Sequence, residues 1–195
     1  MVMAHHLIWT AYGSWLPNDP RGSTSHEIRV EKIAELGELH VGRKAVQPSR
    51  TELLAFFAAS RDVLAHEPLT FTPDDIQFVG KRLGETIQER GYTCYACAVM
   101  PDHVHLLIRR HRDTAEVMLR VLQESTREKL IAAERRGPTH PVWGGPGWKV
   151  FLDSRERIER VIKYIWNNPI KAKMPEQNWD FVTPYDGWAA GLITK

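Results

Sequence analysis

The stretch V-M-P-D-H-V-H-L-L-I-R-R at residues 99–110 decides how the rest of the chain is interpreted. Its second half is an apolar run typical of a β-strand, and M-P-D at residues 100–102 predicts a tight turn after another apolar run. Side chains alternate between the two faces of a strand, so His103 and His105 are expected on the same face. Two adjacent imidazoles on a rigid strand can bind a divalent metal ion. The alternative is a pair of half-buried histidines bonded to backbone, and the pair alone does not decide between them.

A second motif, Y-I-W-N-N-P at residues 164–169, lies on a predicted helix. Apolar residues at helical spacing predict one buried face, formed by Ile158, Val161, Ile162 and Ile165. Tyr164 lies about 120° from the centre of that face, and Asn168 is its neighbour four residues later, with Arg157 on the same side. A hydroxyl, an amide oxygen and a cation together favour phosphodiester chemistry, whereas an aromatic residue at the edge of the core is the alternative. We expect Pro169 to end the regular helix.

The other segments predict an α+β protein. In chain order they are a strand over residues 6–12, a polar stretch over 16–49, helices over 51–66 and 72–90, strands over 92–100 and 103–110, a helix over 114–136, a strand over 148–152 and the tyrosine helix, which begins at Ser154 as N-cap. This order predicts a ferredoxin-like two-layer sandwich. We expect an antiparallel sheet with helices on one face and the histidine pair on a central strand.

Length and charge are compatible with a single DNA-binding domain. The 195 residues are long enough for one core, and the formal net charge is only +2. Residues 154–173, however, hold six Lys or Arg against two Glu, which favours contact with phosphates. A solvated helix face is the alternative. No apolar run approaches the length of about 18 residues needed to cross a membrane, so no membrane association is expected.

The chain has only two cysteines, Cys94 and Cys97, in the sequence C-Y-A-C. Their odd spacing on a strand predicts side chains on opposite faces, which argues against a shared zinc or redox site. We interpret both as small apolar strand residues. Two thiols without a recognisable signal peptide predict a cytoplasmic protein.

These motifs resemble the single-tyrosine HUH transposases, and in particular the REP-associated tyrosine transposases. The resemblance is carried by V-M-P-D-H-V-H-L-L-I, by F-L-D-S-R-E-R-I-E-R-V-I-K-Y-I-W-N-N-P-I-K-A from residue 151, and by H-L-I-W-T-A-Y-G-S-W-L-P at residues 6–17. It covers nearly the whole chain as one domain of residues 1–195, with a poorly matching insertion at about residues 18–70. Two residues depart from the pattern: Trp166 stands where many relatives have His, and Gln123 where Lys is expected.

The resemblance implies a site and a reaction. His103, His105 and Asn168 would bind Mg²⁺ or Mn²⁺, and Tyr164 would be the nucleophile. The implied activity is DNA transposition: cleavage and rejoining of single-stranded or hairpin DNA through a 5′-phosphotyrosine intermediate, with repeated palindromic hairpins as substrate.

Candidate DNA contacts are basic residues around the two motifs and two tryptophans, since exposed aromatic rings stack on unpaired bases. They are Arg109, Arg110, Arg157, Arg160, Lys163, Lys171, Lys173, Trp143 and Trp148. Burial in the core is the alternative for the tryptophans.

Three other functions stay open at this point. One is a domesticated, non-catalytic protein that binds hairpin DNA on the same fold. A second is a rolling-circle replication initiator or relaxase, which shares the HUH chemistry. The third is a metal-dependent hydrolase of small phosphoesters, which would not need Tyr164. Whether the chain acts as a monomer or a homodimer is also open.

Overall fold

The computed structural model describes residues 1–23, 25–28 and 31–188. Within them the chain forms the following elements in order: β1 (Ala4–Thr10), α1 (Glu31–Ala34), α2 (Arg50–Val63), α3 (Pro73–Arg90), β2 (Cys94–Val99), β3 (His103–Arg109), α4 (Ala115–Ala132), β4 (Trp148–Leu152) and α5 (Arg155–Lys171). Strand β4 has the predicted bounds, the other predicted elements differ only at their ends, and α1 was not predicted. Among the helices described, none is both long and apolar enough to cross a membrane.

The four strands form one antiparallel sheet in the order β2-β3-β1-β4. This order and the β-α-β-β-α-β succession confirm the predicted ferredoxin-like α+β fold. Strand β3 has a partner on each side, so the histidine pair lies on a central strand, as predicted. Its backbone is hydrogen-bonded in both directions, which makes it a rigid support.

The helices cover both faces of the sheet, which corrects the prediction that they lie on one face. On one face, α3 and α4 pack over a core that includes Leu7, Trp9 and Leu106. On the other, α5 buries its predicted apolar stripe: Ile158, Ile162 and Ile165 pack among Ala4, Tyr95, Leu107 and Leu152. The one-face prediction was wrong because the sheet is apolar on both sides, and the second apolar side needs a cover.

Local sequence signals explain where α3 begins and ends. The Thr72 side chain accepts a hydrogen bond from the Asp75 backbone, and the Asp75 carboxylate accepts one from the Thr72 backbone, which forms a capping box. Gly91 ends the helix with φ = 66°, a conformation that favours glycine.

Pro169 does not end α5, contrary to the prediction. The helix begins after its predicted N-cap, Ser154, and continues through Pro169 to Lys171. The missing proline N–H removes only one hydrogen bond in the last turn. The proline ring is also buried, and this burial of apolar surface offsets part of the loss.

Cys94 and Cys97 lie on the same side of the sheet, and not on opposite faces as predicted. A β-bulge between Cys94 and Ala96 shifts the register of β2 against β3, so both cysteines join the core beneath α3 and α4. Both thiols are free and buried. The interpretation of the two residues as small apolar strand residues agrees with this burial.

The polar stretch after β1 holds an ordered group of side chains. Asp19 is buried and accepts two hydrogen bonds from the guanidinium of Arg21, at 3.0 and 2.7 Å. The same guanidinium lies 3.9 Å from the ring centre of Trp15, a cation–π contact. This group packs beside the turn that precedes the histidine strand.

Residues 174–183, here named the C-terminal strap, run from α5 across the edge strand β2. Gln177 accepts a hydrogen bond from the Val99 N–H at 2.9 Å and donates one to the Val99 carbonyl at 2.8 Å. At the other end of the strand, the N–H of Thr183 donates to the Cys94 carbonyl. Trp179 lies so close to Gly80 of α3 that a Cβ there would be 2.2 Å from its ring. The strap therefore covers a sheet edge that would otherwise be open to pairing.

Candidate active site

The predicted histidine pair lies on β3, on the face of the sheet that α5 partly covers. The ring centroids of His103 and His105 are 4.8 Å apart, and the ring planes are nearly perpendicular. His105 is buried, whereas His103 is partly exposed. The two side chains therefore share one face, with His103 nearer to solvent.

Asp102, in the turn before β3, fixes the orientation of His103. Its carboxylate accepts a hydrogen bond from Nδ1 of His103 at 2.6 Å. Burial raises the pKa of Asp102, but the hydrogen bond from His103 and the positive charge of Arg21 outweigh it and hold the pKa below its ordinary value. An ionised carboxylate can only accept, so Nδ1 of His103 carries a proton and its Nε2 is left for another partner.

His6 on β1 contacts His105 through a ring nitrogen. Nε2 of His6 is 3.0 Å from Nδ1 of His105. Burial lowers the pKa of His6 to about 4 and the pKa of His105 to about 2, so both imidazoles are neutral at neutral pH. The contact occupies Nδ1 of His105 and leaves its Nε2 without a hydrogen-bond partner in the described part of the chain.

Tyr164 lies beside these histidines within one chain. Its ring centroid is 5.4 Å from that of His105 and 6.1 Å from that of His6, both in edge contacts. The side chain is 47% exposed, although it adjoins the buried His105. We name the space between Tyr164 and these histidines the cleft. The structure thus brings together the tyrosine and the histidine pair that the sequence singles out.

Asn168 is one helical turn beyond Tyr164. Its Nδ2 donates to the Tyr164 carbonyl at 3.0 Å, so its amide oxygen is left as an acceptor. The side chain is partly buried on the flank of α5 that carries Tyr164.

The donor atoms of His103, His105 and Asn168 are of kinds that bind divalent ions. Metal-binding histidines typically present one nitrogen to the ion while the other donates to a carboxylate, a backbone carbonyl or water, and the Asp102 carboxylate is such a partner for His103. At His105, the corresponding nitrogen contacts His6. Imidazole must also be neutral to bind a metal, which holds for His105. Among the residues described, no group of three or more His, Cys, Asp or Glu side chains is arranged to hold an ion. The predicted set is of another kind, with two imidazole nitrogens and the Asn168 amide oxygen.

Some of the basic residues predicted to contact DNA form ion pairs within the protein, and others do not. Arg157 forms an ion pair with Asp153 at 2.9 Å, and Arg109 stacks on Trp188 and lies 3.6 Å from Asp186, away from the histidines. The remaining predicted cations are exposed and form no ion pair within the described ranges: Arg110, Arg160, Lys163, Lys171 and Lys173. Arg157 and Arg160 lie seven and four residues before Tyr164, which places them on its side of α5.

The two predicted tryptophans have different environments. Trp143 is buried, and its indole N–H donates to the Gln123 carbonyl and the Thr126 hydroxyl. It is a core residue and is not placed to stack on a base, which corrects that prediction. Trp148, by contrast, is 40% exposed.

Sequence reasoning missed Asp102 and His6 as parts of the site. Asp102 adjoins His103 in the chain, so a carboxylate next to a candidate ligand was the available signal. His6 gave no such signal, because its contact with His105 depends on the pairing of β1 with β3.

Comparison with known proteins gives little sequence similarity. No protein-family model matches the chain, and no curated protein is similar enough to count as a relative. A solved structure of a REP-associated tyrosine transposase bound to a REP hairpin aligns with 92% of this chain and 74% of its own, at 12% identity and a TM-score of 0.48. A candidate transposase from Deinococcus radiodurans R1 aligns with 86% of this chain and 91% of its own, at 16% identity and a TM-score of 0.40. At such identities and TM-scores, we base the function on the geometry of the site.

Proposed function

We propose that this protein is a transposase-like strand transferase that cleaves single-stranded or hairpin DNA with Tyr164 as nucleophile. The observation that carries the proposal is the 5.4 Å separation of the Tyr164 and His105 rings in one chain. Tyr164 lies beside His105, and His105 lies beside His103. A phenol nucleophile is therefore close to a pair of candidate imidazole ligands for a cation that would bind phosphate.

In the proposed reaction, the Tyr164 hydroxyl oxygen attacks the phosphorus in line with the bond to the 3′ oxygen. An O–P bond to tyrosine forms and the P–O3′ bond breaks, which leaves a 5′-phosphotyrosine and a free 3′ hydroxyl. The phenolic proton passes to water at the exposed side of the ring, and the departing 3′ oxygen takes a proton from water. A 3′ hydroxyl from another strand can reverse the step and join two strands without an external energy source.

The proposed ligands of Mg²⁺ or Mn²⁺ are Nε2 of His103, Nε2 of His105 and the amide oxygen of Asn168. When bound, such an ion polarises a phosphate oxygen and offsets the charge that develops in the transition state. Asp102 contacts Nδ1 of His103, and His6 contacts Nδ1 of His105. Nε2 of His105 is a ligand atom in the tautomer in which its Nδ1 donates to Nε2 of His6.

The proposed substrate is unpaired DNA next to a hairpin. Arg157 and Arg160 line the flank of α5 beside Tyr164 and can contact phosphates of either strand form. A duplex hides its base edges and its stacking faces, so an unpaired segment gives the protein more to recognise. Repeated palindromic hairpins are the form that the sequence resemblance implies.

The test uses a panel of labelled single-stranded hairpins with unpaired arms, incubated with Mn²⁺ and analysed on a denaturing gel. We expect the wild-type protein to form a covalent protein–DNA adduct. Tyr164→Phe removes one oxygen and keeps the ring, so this variant should bind the same hairpins but form no adduct and cut no strand. Tyr185→Phe is the matched control, because it removes another phenol, one that donates to the Trp188 carbonyl. It should form the adduct normally.

The other outcomes identify the alternatives. Strand cleavage by Tyr164→Phe would show that Tyr164 is structural and would leave a metal-dependent hydrolase as the better description. A wild-type protein that binds hairpins without ever forming an adduct would be a non-catalytic hairpin-binding protein.

A further inference from the structure

Part of the sheet face that carries the histidines is left open by α5. The helix packs mainly against β2 and β3, and it buries Ala4 and Leu152 at one end of β1 and β4. At the other end of these two strands, Ile8 is only partly buried and Trp148 is 40% exposed. The open area therefore lies beside the cleft of Tyr164.

Strand register places Trp148 in line with His105. Ile8 of β1 pairs with His105 on one side and with Trp148 on the other. Residues directly opposite each other in neighbouring strands project to the same face. Neighbouring strands are about 4.8 Å apart, so the backbone of Trp148 lies about 10 Å from that of His105, on the same face of the sheet.

The exposed ring of Trp148 has a flat aromatic neighbour. The imidazole of His26 lies at 6.4 Å between centroids, with only 26° between the ring planes. The Trp148 ring is not part of the hydrophobic core. Trp9 and Trp143, by contrast, are buried and pack edge to face. An exposed tryptophan beside a candidate phosphate site has the shape and polarity of a stacking platform for bases.

We propose that Trp148, with His26 beside it, is the stacking site for an unpaired nucleobase of the DNA strand held between His105 and Tyr164. This inference rests on the proposed function. Consecutive stacked nucleotides are about 3.4 Å apart, so a distance of about 10 Å places that base within about three nucleotides of the cleaved phosphate. Arg160 on the facing flank of α5, which is exposed and forms no ion pair within the described ranges, supplies positive charge for the phosphates in between.

The test measures stacking directly. The fluorescent base 2-aminopurine is placed in turn at each unpaired nucleotide of the hairpin that Tyr164→Phe protein binds most tightly. We expect quenching on binding at one position within about three nucleotides of the cleaved phosphate. Adding Trp148→Ala to Tyr164→Phe should abolish that quenching and weaken binding roughly 5- to 150-fold.

A matched control is Trp166→Ala in the same background. Trp166 is 53% exposed but lies two residues after Tyr164, about 200° around α5, and so faces away from the cleft. Its removal should leave both affinity and quenching unchanged. An abasic site at the quenched position should weaken binding by the Trp148 protein and have no further effect on Trp148→Ala, because the two changes remove the same contact.

The result separates the inference from the function on which it rests. Normal adduct formation with unchanged affinity and quenching in Trp148→Ala would overturn the stacking site alone. A wild-type protein that forms no adduct and binds no hairpin would overturn the proposed function and the stacking site together. Thermal unfolding of Trp148→Ala checks that its fold is intact, and Trp148→Phe should restore part of the affinity by restoring an aromatic ring.

Discussion

At the scale of single residues, Asp102 and His6 each contact one ring nitrogen of a candidate ligand. Both contact Nδ1, at 2.6 Å on His103 and at 3.0 Å on His105. Asp102 is a charged acceptor and His6 is a neutral imidazole, so the two candidate ligands have different electronic surroundings. His103, with a carboxylate behind it, is expected to be the more strongly electron-donating of the two.

We predict that Asp102→Asn lowers the affinity for Mn²⁺ and the rate of adduct formation, each by about 10- to 100-fold. The amide keeps an acceptor for Nδ1 but loses the negative charge that strengthens the hydrogen bond. Mn²⁺ binding followed by electron paramagnetic resonance measures the first effect without reference to activity. Asp180→Asn, which changes an exposed carboxylate in the strap, should change neither quantity. Equal Mn²⁺ affinity in Asp102→Asn and wild type would contradict the role of Asp102.

At the scale of elements, the strap connects the helix that carries Tyr164 to the edge of the sheet. The side-chain amide of Gln177 makes the two hydrogen bonds that a neighbouring strand would otherwise make. It accepts from the N–H of Val99 and donates to its carbonyl. Val99 is fully buried, so these two backbone groups depend on Gln177 for partners.

We predict that Gln177→Ala lowers the free energy of unfolding by about 1–3 kcal/mol, since it leaves buried polar groups without partners. Urea unfolding measures the change. Asn178→Ala alters the exposed neighbouring residue and should stay within about 0.5 kcal/mol of wild type. If both variants were equally stable, the prediction would be wrong, and water would satisfy the Val99 N–H and carbonyl in place of Gln177.

Elements with strong local signals could be predicted from the sequence, and elements set by distant contacts could not. The capping residue Thr72 and the stop at Gly91 are encoded locally, so α3 was predicted nearly residue by residue. The bulge between Cys94 and Ala96 depends on how β2 pairs with β3, and it reversed the expected direction of one cysteine. The side of the sheet taken by α5 likewise depends on which apolar face stays uncovered.

The candidate site follows the same division. His103 and His105 share a face because of their spacing alone, and Tyr164 neighbours Asn168 for the same reason. The contact of His6 with His105 requires the register of β1, which no local pattern contains. The burial of Trp143 depends on packing between the loop after α4 and the core, so its sequence gave the wrong indication.

At the scale of the whole molecule, a group of charges ties the start of α3 to the turn after α4. Asp75 is buried and receives hydrogen bonds from Arg135 at 3.2 Å and Arg136 at 2.8 Å, in addition to its role in the capping box. Burial raises the pKa of Asp75, but the hydrogen bonds from Arg136 and Thr72 outweigh it and hold the pKa below its ordinary value.

We predict that Asp75→Asn lowers the free energy of unfolding by about 3 kcal/mol at pH 7, because two arginines lose a buried partner. This corresponds to roughly 6–12 °C in Tm for a chain of this size. A depressed pKa in the folded protein contributes stability above the unfolded value and loses it as the pH falls through the folded value. The difference between wild type and Asp75→Asn should therefore narrow below about pH 4.

Asp74→Asn is the matched control for this prediction. Asp74 also pairs with Arg135, at 2.7 Å, but its side chain is 77% exposed. An exposed ion pair contributes about 1 kcal/mol or less, so this variant should stay close to wild type at pH 7. Thermal unfolding of both variants across pH 3–7 separates the buried charge from the exposed one.

The rate at which the buried thiols of Cys94 and Cys97 are alkylated reports how often the edge strand β2 opens locally. Burial raises the pKa of Cys94 to about 12 and that of Cys97 well above its ordinary value, so almost no thiolate is present in the closed fold. Alkylating reagents attack the thiolate, and they need access to it. Labelling therefore proceeds only through molecules in which β2 has separated from its cover, and its rate follows how often that happens. If the proposed binding of DNA beside Tyr164 holds α5 and the strap more firmly against the sheet, Cys94 and Cys97 should be alkylated more slowly in its presence.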